Sequence, residues 1–335
     1  MSPFRAIRFS AVFFCMLVLA VLIVSQPVQA EQWRAIASAQ SEDKGKQAGA
    51  YLPNELWIHV GDSITWTFAA DWNHTVTFLK QDTTPQQIRP QPPSVPGGGC
   101  PGTTPDGSSF DGSTCVTSDA LADGQTYVVN FPTAGNFKLV CLVHTAMTGA
   151  VHVLDLSEPL PYDRAFYDRQ VDEGLAELLS EASRLEVRGL AMARRTSRTE
   201  VSAGIGDFVE TGGGHHLVAV MRFLPAAIVV HVGDTVEWTL ESPITHTVTF
   251  GTEPANLGPP SAEVTVDSDG ARHAVAAADV HSGILGPKSY DRGGLAQLPL
   301  DVTRFRVTFT HPGIFNYFCA QHDDLGMIGK VIVHR

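Results

Sequence analysis

Along Ile64-Thr65-Trp66-Thr67-Phe68, large apolar residues alternate with polar ones, and Val236-Glu237-Trp238-Thr239-Leu240 repeats the pattern. Tyr127, Val129 and Phe131 alternate likewise, as do Phe305, Val307 and Phe309. A period of two marks a strand with one buried face. Gly61-Asp62 and Gly233-Asp234 read as tight turns between strands. Many short strands with turn signals at close spacing predict antiparallel sandwiches of about a hundred residues each. Asp163–Arg195 differs: it is rich in Ala, Leu, Glu and Arg and contains no Pro. There Phe166, Val171, Leu175, Leu178, Ala182 and Leu185 recur at three-to-five-residue steps, which predicts a helix with one apolar stripe. We read it as a connector packing on one or both sandwiches. Mixed acidic charge on its polar face argues against a membrane-surface helix.

The chain repeats itself. Ile58–Phe68 (IHVGDSITWTF) returns as Val230–Leu240 (VHVGDTVEWTL) at an offset of 172, and His74-Thr75-Val76-Thr77-Phe78 returns as the identical pentapeptide His246–Phe250. Phe131–His144 (FPTAGNFKLVCLVH) matches Phe309–His322 (FTHPGIFNYFCAQH) at an offset of 178. Each half then closes on Met-x-Gly-x-Val-x-Val, from Met147 and from Met327. Order, spacing and residue type recur together, so one unit has been duplicated. The expected organisation is an export segment over 1–30, a first β-domain over 31–157, a helical linker over 158–198 and a second β-domain over 199–335.

The leader follows from its own pattern. Arg5 and Arg8 precede the apolar run Ala11–Val24, and Val28-x-Ala30 supplies a small-residue cleavage site. The run is shorter than the roughly 20 residues a membrane helix needs, so the mature chain is expected to start at Glu31, outside the cytoplasm and without a membrane span. Net charge is −12 over 335 residues. Such an acidic surface repels phosphate backbones, which argues against nucleic acid and for basic protein partners. Apart from Cys15 in the leader, four cysteines remain. Cys100 and Cys115 bracket a Gly/Pro/Ser/Thr-rich stretch, and an oxidising compartment would allow a disulfide there. Closing such a loop is worth about 3 kcal/mol in the chain-entropy model.

Cys141 and Cys319 stand in other surroundings. Cys141-Leu-Val-His144-Thr-Ala-Met147 follows His74 by 67 residues, and Cys319-Ala-Gln-His322-Asp-Asp-Leu-Gly-Met327 follows His246 by 73. Copper cycling between its two oxidation states wants a soft thiolate, imidazoles suited to both states and a weak, long thioether contact. Taken singly, a buried Cys is a small apolar core residue and a lone His or Met says little. Jointly, in the same order in two halves, they form a ligand set. Zinc is the rival metal, but it favours closed sites of Cys, His and carboxylate, and thioether suits it poorly.

On these motifs both halves resemble cupredoxins, the plastocyanin/azurin/amicyanin group of blue copper proteins. The second half is similar to plastocyanin and pseudoazurin in its Cys–His–Met spacing, and the first to amicyanin in its shorter loop. The resemblance spans roughly Trp33–Leu156 and Thr199–Arg335. It implies an all-β Greek-key sandwich in each half, a mononuclear type 1 copper and one-electron transfer to redox partners such as cytochromes or copper and haem enzymes. By position it implies that His74, Cys141, His144 and Met147 hold one copper, and His246, Cys319, His322 and Met327 the other. In many members an Asn follows the first ligand His and braces the Cys loop. Thr75 and Thr247 stand there instead, where a hydroxyl can still hydrogen-bond, with a different tuning of the potential. The loop lengths differ too, so two distinguishable sites are expected. In the family the loop His often emerges through a docking patch, which makes His144 and His322 the candidate points of electron entry and exit.

Two such domains also suggest a copper oxidoreductase of the nitrite reductase or laccase type. In nitrite reductase a His directly precedes the ligand Cys and another lies five residues after the first ligand His. Those positions hold Val140 and Phe318, and Leu79 and Gly251, and the chain has no His-x-His pair. An electron carrier is therefore the first reading and an enzyme the second. A third class, copper storage or delivery, rests on His215-His216 after Gly212–Gly214. The plain reading of that pair, and of His59 and His231, is ordinary exposed histidine.

Overall fold

The computed structural model describes residues 30–81, 100, 102–144, 146–196, 199–286 and 302–335. Apart from Ala30, the expected export segment lies outside them. The first half contributes β1 (Gln32–Gln40), β2 (Lys46–Leu52), β3 (Glu55–His59), β4 (Ser63–Ala69) and β5 (Thr77–Phe78). It continues with β6 (Ser108–Ser109), β7 (Val116–Thr117), β8 (Thr126–Asn130), β9 (Gly135–Val140) and β10 (Thr148–Leu154). A single long helix follows among the described residues, α1 (Arg164–Thr196). The second half then supplies β11 (Glu200–Glu210), β12 (His215–Leu224), β13 (Ala227–His231), β14 (Thr235–Glu241) and β15 (Thr249–Phe250). It ends with β16 (Thr265–Val266), β17 (Arg272–Val275), β18 (Val280–His281), β19 (Arg304–Thr308), β20 (Gly313–Phe318) and β21 (Ile328–His334).

The alternating segments become the strands that carry the core. Ile64, Trp66 and Phe68 point inward from β4, and Val236, Trp238 and Leu240 do so from β14. Each turn before them is closed by its Gly-Asp pair. Gly61 and Gly233 both adopt φ +94°, a left-handed conformation that glycine enters without a Cβ clash. Asp62 is the better anchored of the two acids. Its carboxylate accepts from the N–H groups of Glu31 and His59 and from the Trp33 indole, at 2.7–2.9 Å.

Each half has its own five-stranded sheet, β3-β10-β9-β5-β7 in one and β13-β21-β20-β15-β18 in the other. The opposite faces of the two sandwiches are not separate sheets. They merge into one of eleven strands, β16-β17-β19-β14-β11-β12-β2-β1-β4-β8-β6, because β12 pairs antiparallel with β2. Leu217, Val218, Ala219 and Val220 face Gly49, Ala48, Gln47 and Lys46 in that pairing. Read outward from this junction, the order β2-β1-β4 on one side mirrors β12-β11-β14 on the other, so the repeat is built about a pseudo-two-fold axis. A strand that would otherwise be an open edge is consumed by its own duplicate.

The helix seals the junction from one face. Leu178, Ala182 and Leu185 are buried against Ala48, Ala50 and Leu52 of the first half and Ile205, Val218, Val220 and Leu224 of the second. The apolar stripe read from the sequence thus packs on both sandwiches at once. The Cys100–Cys115 disulfide is present. The stretch it brackets is less irregular than its composition suggests. Ser108 and Ser109 pair with β8, and Phe110 is driven into the core beside Phe78, Phe131 and Phe137. Leu185→Ala should leave a cavity shared by both halves and cost about 2–5 kcal/mol. Chemical denaturation would read this as a drop in the stability of the whole chain; a loss confined to one half would contradict a shared core.

Candidate metal centres

Each centre is assembled from three directions. The first histidine comes from the segment before the short strand β5 or β15. His74 is held by paired backbone hydrogen bonds with Leu121 (2.9 and 2.8 Å), and His246 by the same pair with Leu285 (3.0 and 2.8 Å). The cysteine directly follows β9 or β20, and the second histidine lies three residues later. The loop then returns through its methionine, whose carbonyl accepts from the cysteine N–H at 3.0 Å in both halves. Met147 and Met327 are fully buried within the respective cores.

The polar tips converge. In the first half Cys141 Sγ lies 3.8 Å from His74 Nδ1 and 3.9 Å from His144 Nδ1, and the two nitrogens are 3.1 Å apart. In the second, Cys319 Sγ lies 3.8 Å from His246 Nδ1 and 3.5 Å from His322 Nδ1, again with 3.1 Å between nitrogens. Among the described residues these two triads are the groups of His, Cys, Asp or Glu placed to share an ion. Divalent first-row ions bind imidazole nitrogen and thiolate at about 2.0–2.3 Å, so donors at these separations can surround one ion. The triads are also closed to water. Burial lowers the His74 imidazole to about 3 and that of His322 to about 4, and it raises the Cys319 thiol to about 11. His246 is lowered by burial and then by His322, and His144 by burial and then by His74 and His322; burial also raises Cys141. Two imidazole Nδ1 atoms and a thiol converging in a buried pocket suit a cation.

The two threonines in place of the usual Asn do brace the loops. Thr75 Oγ1 accepts from the Leu142 N–H and Thr247 Oγ1 from the Ala320 N–H, both at 2.8 Å. Their own backbone N–H groups point at the sulfurs, 3.4 Å from Cys141 Sγ and 3.3 Å from Cys319 Sγ. Behind them the halves diverge. Thr75 continues through Thr77 to Thr117 by hydroxyl contacts of 2.9 and 2.8 Å. Thr247 continues through Thr249 to His281, whose other nitrogen meets the Leu257 carbonyl at 3.1 Å. The Tyr51 hydroxyl donates to the Thr75 carbonyl, whereas its repeat equivalent Phe223 has no hydroxyl. The two pockets therefore differ in polarity as well as in loop length.

Some expectations need correction. His144 and His322 do not emerge at the surface; they are 3% and 5% exposed. The Trp72 ring packs on that of His144 and stands edge-on to that of His322, with centroids 3.9 and 6.5 Å apart. His215 and His216 do not form an exposed pair. Successive residues of β12 point to opposite faces, which leaves His215 exposed near Glu210 and His216 5% exposed. His231 lies on the surface as expected, and His59 is half-buried, with its ring against the Glu158 carbonyl at 2.8 Å. Sequence reading also passed over Trp72. It lies two residues before His74, where the repeat has Ile244, so the departure of one half from the other was the available signal.

The fold and the pockets define a duplicated β-sandwich protein with a buried Cys-His-His triad in each half. The family model described as copper binding proteins, plastocyanin/azurin family, matches residues 39–154 and again 209–334, and the chain belongs to that family. Among solved structures, oxidised plastocyanin from Dryopteris crassirhizoma is 20% identical over 40% of this chain and 99% of its own, with a TM-score of 0.22. The purple cupredoxin from Nitrosopumilus maritimus is 20% identical over 41% of this chain and 99% of its own, also with a TM-score of 0.22. An oxidised amicyanin mutant is 18% identical over 37% of this chain and 82% of its own, with a TM-score of 0.23.

Gly204 tests how tightly the second pocket is built. It sits at the bulge of β11 with φ +76°, and a Cβ there would stand 2.4 Å from His246 Nε2. Gly204→Ala should displace the imidazole in addition to the roughly 1–2 kcal/mol of left-handed strain. A crystal structure of the variant checks this: a shifted His246 beside an unaltered first triad is expected, and an unmoved ring would contradict the packing.

Proposed function

We propose that the protein is an exported electron carrier holding one type 1 copper in each half. One observation carries the reading: in either half a thiol and two neutral imidazoles meet at a buried point, inside a loop that returns through a buried methionine. Copper would supply a one-electron couple there. His74, Cys141 and His144 would hold one ion with Met147 as a weak further contact, and His246, Cys319 and His322 the other with Met327. The chain's own part is to keep these donors fixed and dry. The threonine braces and the N–H groups aimed at sulfur support the thiolate without a mobile side chain, and a rigid donor set needs little rearrangement when the charge on the ion changes. Its acidic surface suits basic redox proteins as partners, cytochromes or copper and haem enzymes among them. Storage or delivery at the surface loses its support with the burial of His216. A catalytic copper of the nitrite reductase or laccase type would need further histidines, and the sequence has none directly before Cys141 or Cys319 and no His-x-His pair.

Copper content and the visible spectrum of the purified protein test the reading. Two coppers per chain and strong thiolate-to-copper absorption are expected. Cys141→Ser and Cys319→Ser should each remove about half of that absorption, since each thiolate supplies its own transition. A colourless copper protein, or colour wholly lost with one cysteine, would overturn it.

A further inference from the structure

The mirrored packing puts one aromatic side chain between the two centres. Trp72 belongs to the first half but is buried, 7% exposed, among core residues of the second. Its ring centroid is 3.9 Å from that of His144 and 5.0 Å from that of His74. On the other side it stands 6.5 Å from the His322 ring, edge-on at 83°. One indole therefore abuts both imidazoles of the first triad and stands edge-on to the loop imidazole of the second. The same β1–β2 turn holds both approaches. Asp71, next to Trp72, pairs with Lys44 at 2.8 Å and accepts from Gln40 at 2.9 Å. On the other side Arg222 donates to the Asp43 carbonyl and to the Leu325 carbonyl of the second ligand loop, both at 2.7 Å.

We propose that Trp72 is the bridge across which the two metal centres exchange an electron. The proposal rests on the copper reading above. Electron tunnelling weakens steeply with every empty gap and couples best through bonds and van der Waals contacts, and a π-system couples better than a saturated side chain of the same bulk. Both loop imidazoles are covered, so the packed route from one centre to the other runs His144–Trp72–His322. One electron leaves the reduced copper, which becomes oxidised, and arrives at the oxidised copper, which becomes reduced. Trp72 begins and ends as a neutral indole; no bond is made and no proton moves. An electron accepted by one half could then leave from the other.

The test starts from the fully oxidised two-copper chain, given less than one electron per molecule by flash photoreduction, with the two charge-transfer bands followed in time. Wild type should show a redistribution phase whose rate does not depend on protein concentration. Trp72→Leu should lose that fast phase and Trp72→Phe should fall between, with copper content and the copper–copper separation by pulsed EPR unchanged. The same series on a Met327→Leu background, which shifts the second centre's potential, makes the exchange visible if the native potentials coincide. In the metal-free protein, ring-current shifts of the His144 and His322 ring protons should be present and should vanish in Trp72→Leu. Redistribution only through collisions, equal rates in all three chains, or unshifted imidazole protons would overturn the bridge. Should Trp72→Leu fail to fold, wild type against Trp72→Phe carries the comparison. Absent thiolate bands would instead contradict the copper reading itself.

Discussion

Backbone pairing between β2 and β12 is the constraint from which the rest follows. A cupredoxin-like sandwich on its own exposes the edge of one sheet. Here that edge is met by its own repeat, and the register Gly49–Leu217 to Lys46–Val220 fixes the two halves about an axis. The register centres that axis on Gln47 and Ala219, and Trp72 of the first half stands between the loop histidines of both. The insertion of Trp72 into the neighbouring core and the seating of α1 across the junction both depend on that choice of partner strand.

Burial has a chemical consequence. Desolvation disfavours the charged form of an isolated imidazole or thiol, and burial moves all six groups of the triads in that direction. The hydrogen bonds around it are arranged for the ion-bound form: backbone N–H groups of Thr75 and His144 converge on Cys141 Sγ, both at 3.4 Å. The pocket stays poised between a dry apolar core and a charged site. The two halves have different supports, a hydroxyl chain behind Thr75 and a histidine-terminated one behind Thr247.

Much of this was legible in the residues themselves. Alternation in β4 and β14 named the inward faces, the Gly-Asp turns were placed correctly, and the triads came together as their spacing implied. The stripe Leu178, Ala182 and Leu185 also announced a packed helix. What could not be read was everything that depends on how the two halves meet. A period-two pattern says which face of a strand is buried, but not which strand lies beside its edge. So the docking role of His144 and His322 was misplaced, and Trp72 was passed over. His216 failed for a related reason: its neighbour's exposure says nothing of its own when the strand alternates. Phe110 shows that a Gly- and Ser-rich stretch can still deliver one side chain to a core.

Anomalous diffraction at the copper edge, on crystals of the copper-loaded full chain, tests the central claim most directly. Two peaks are expected, each enclosed by one sulfur and two imidazole nitrogens, at His74, Cys141 and His144 and at His246, Cys319 and His322. Copper found elsewhere, at His215 for example, with either triad empty, would contradict the account.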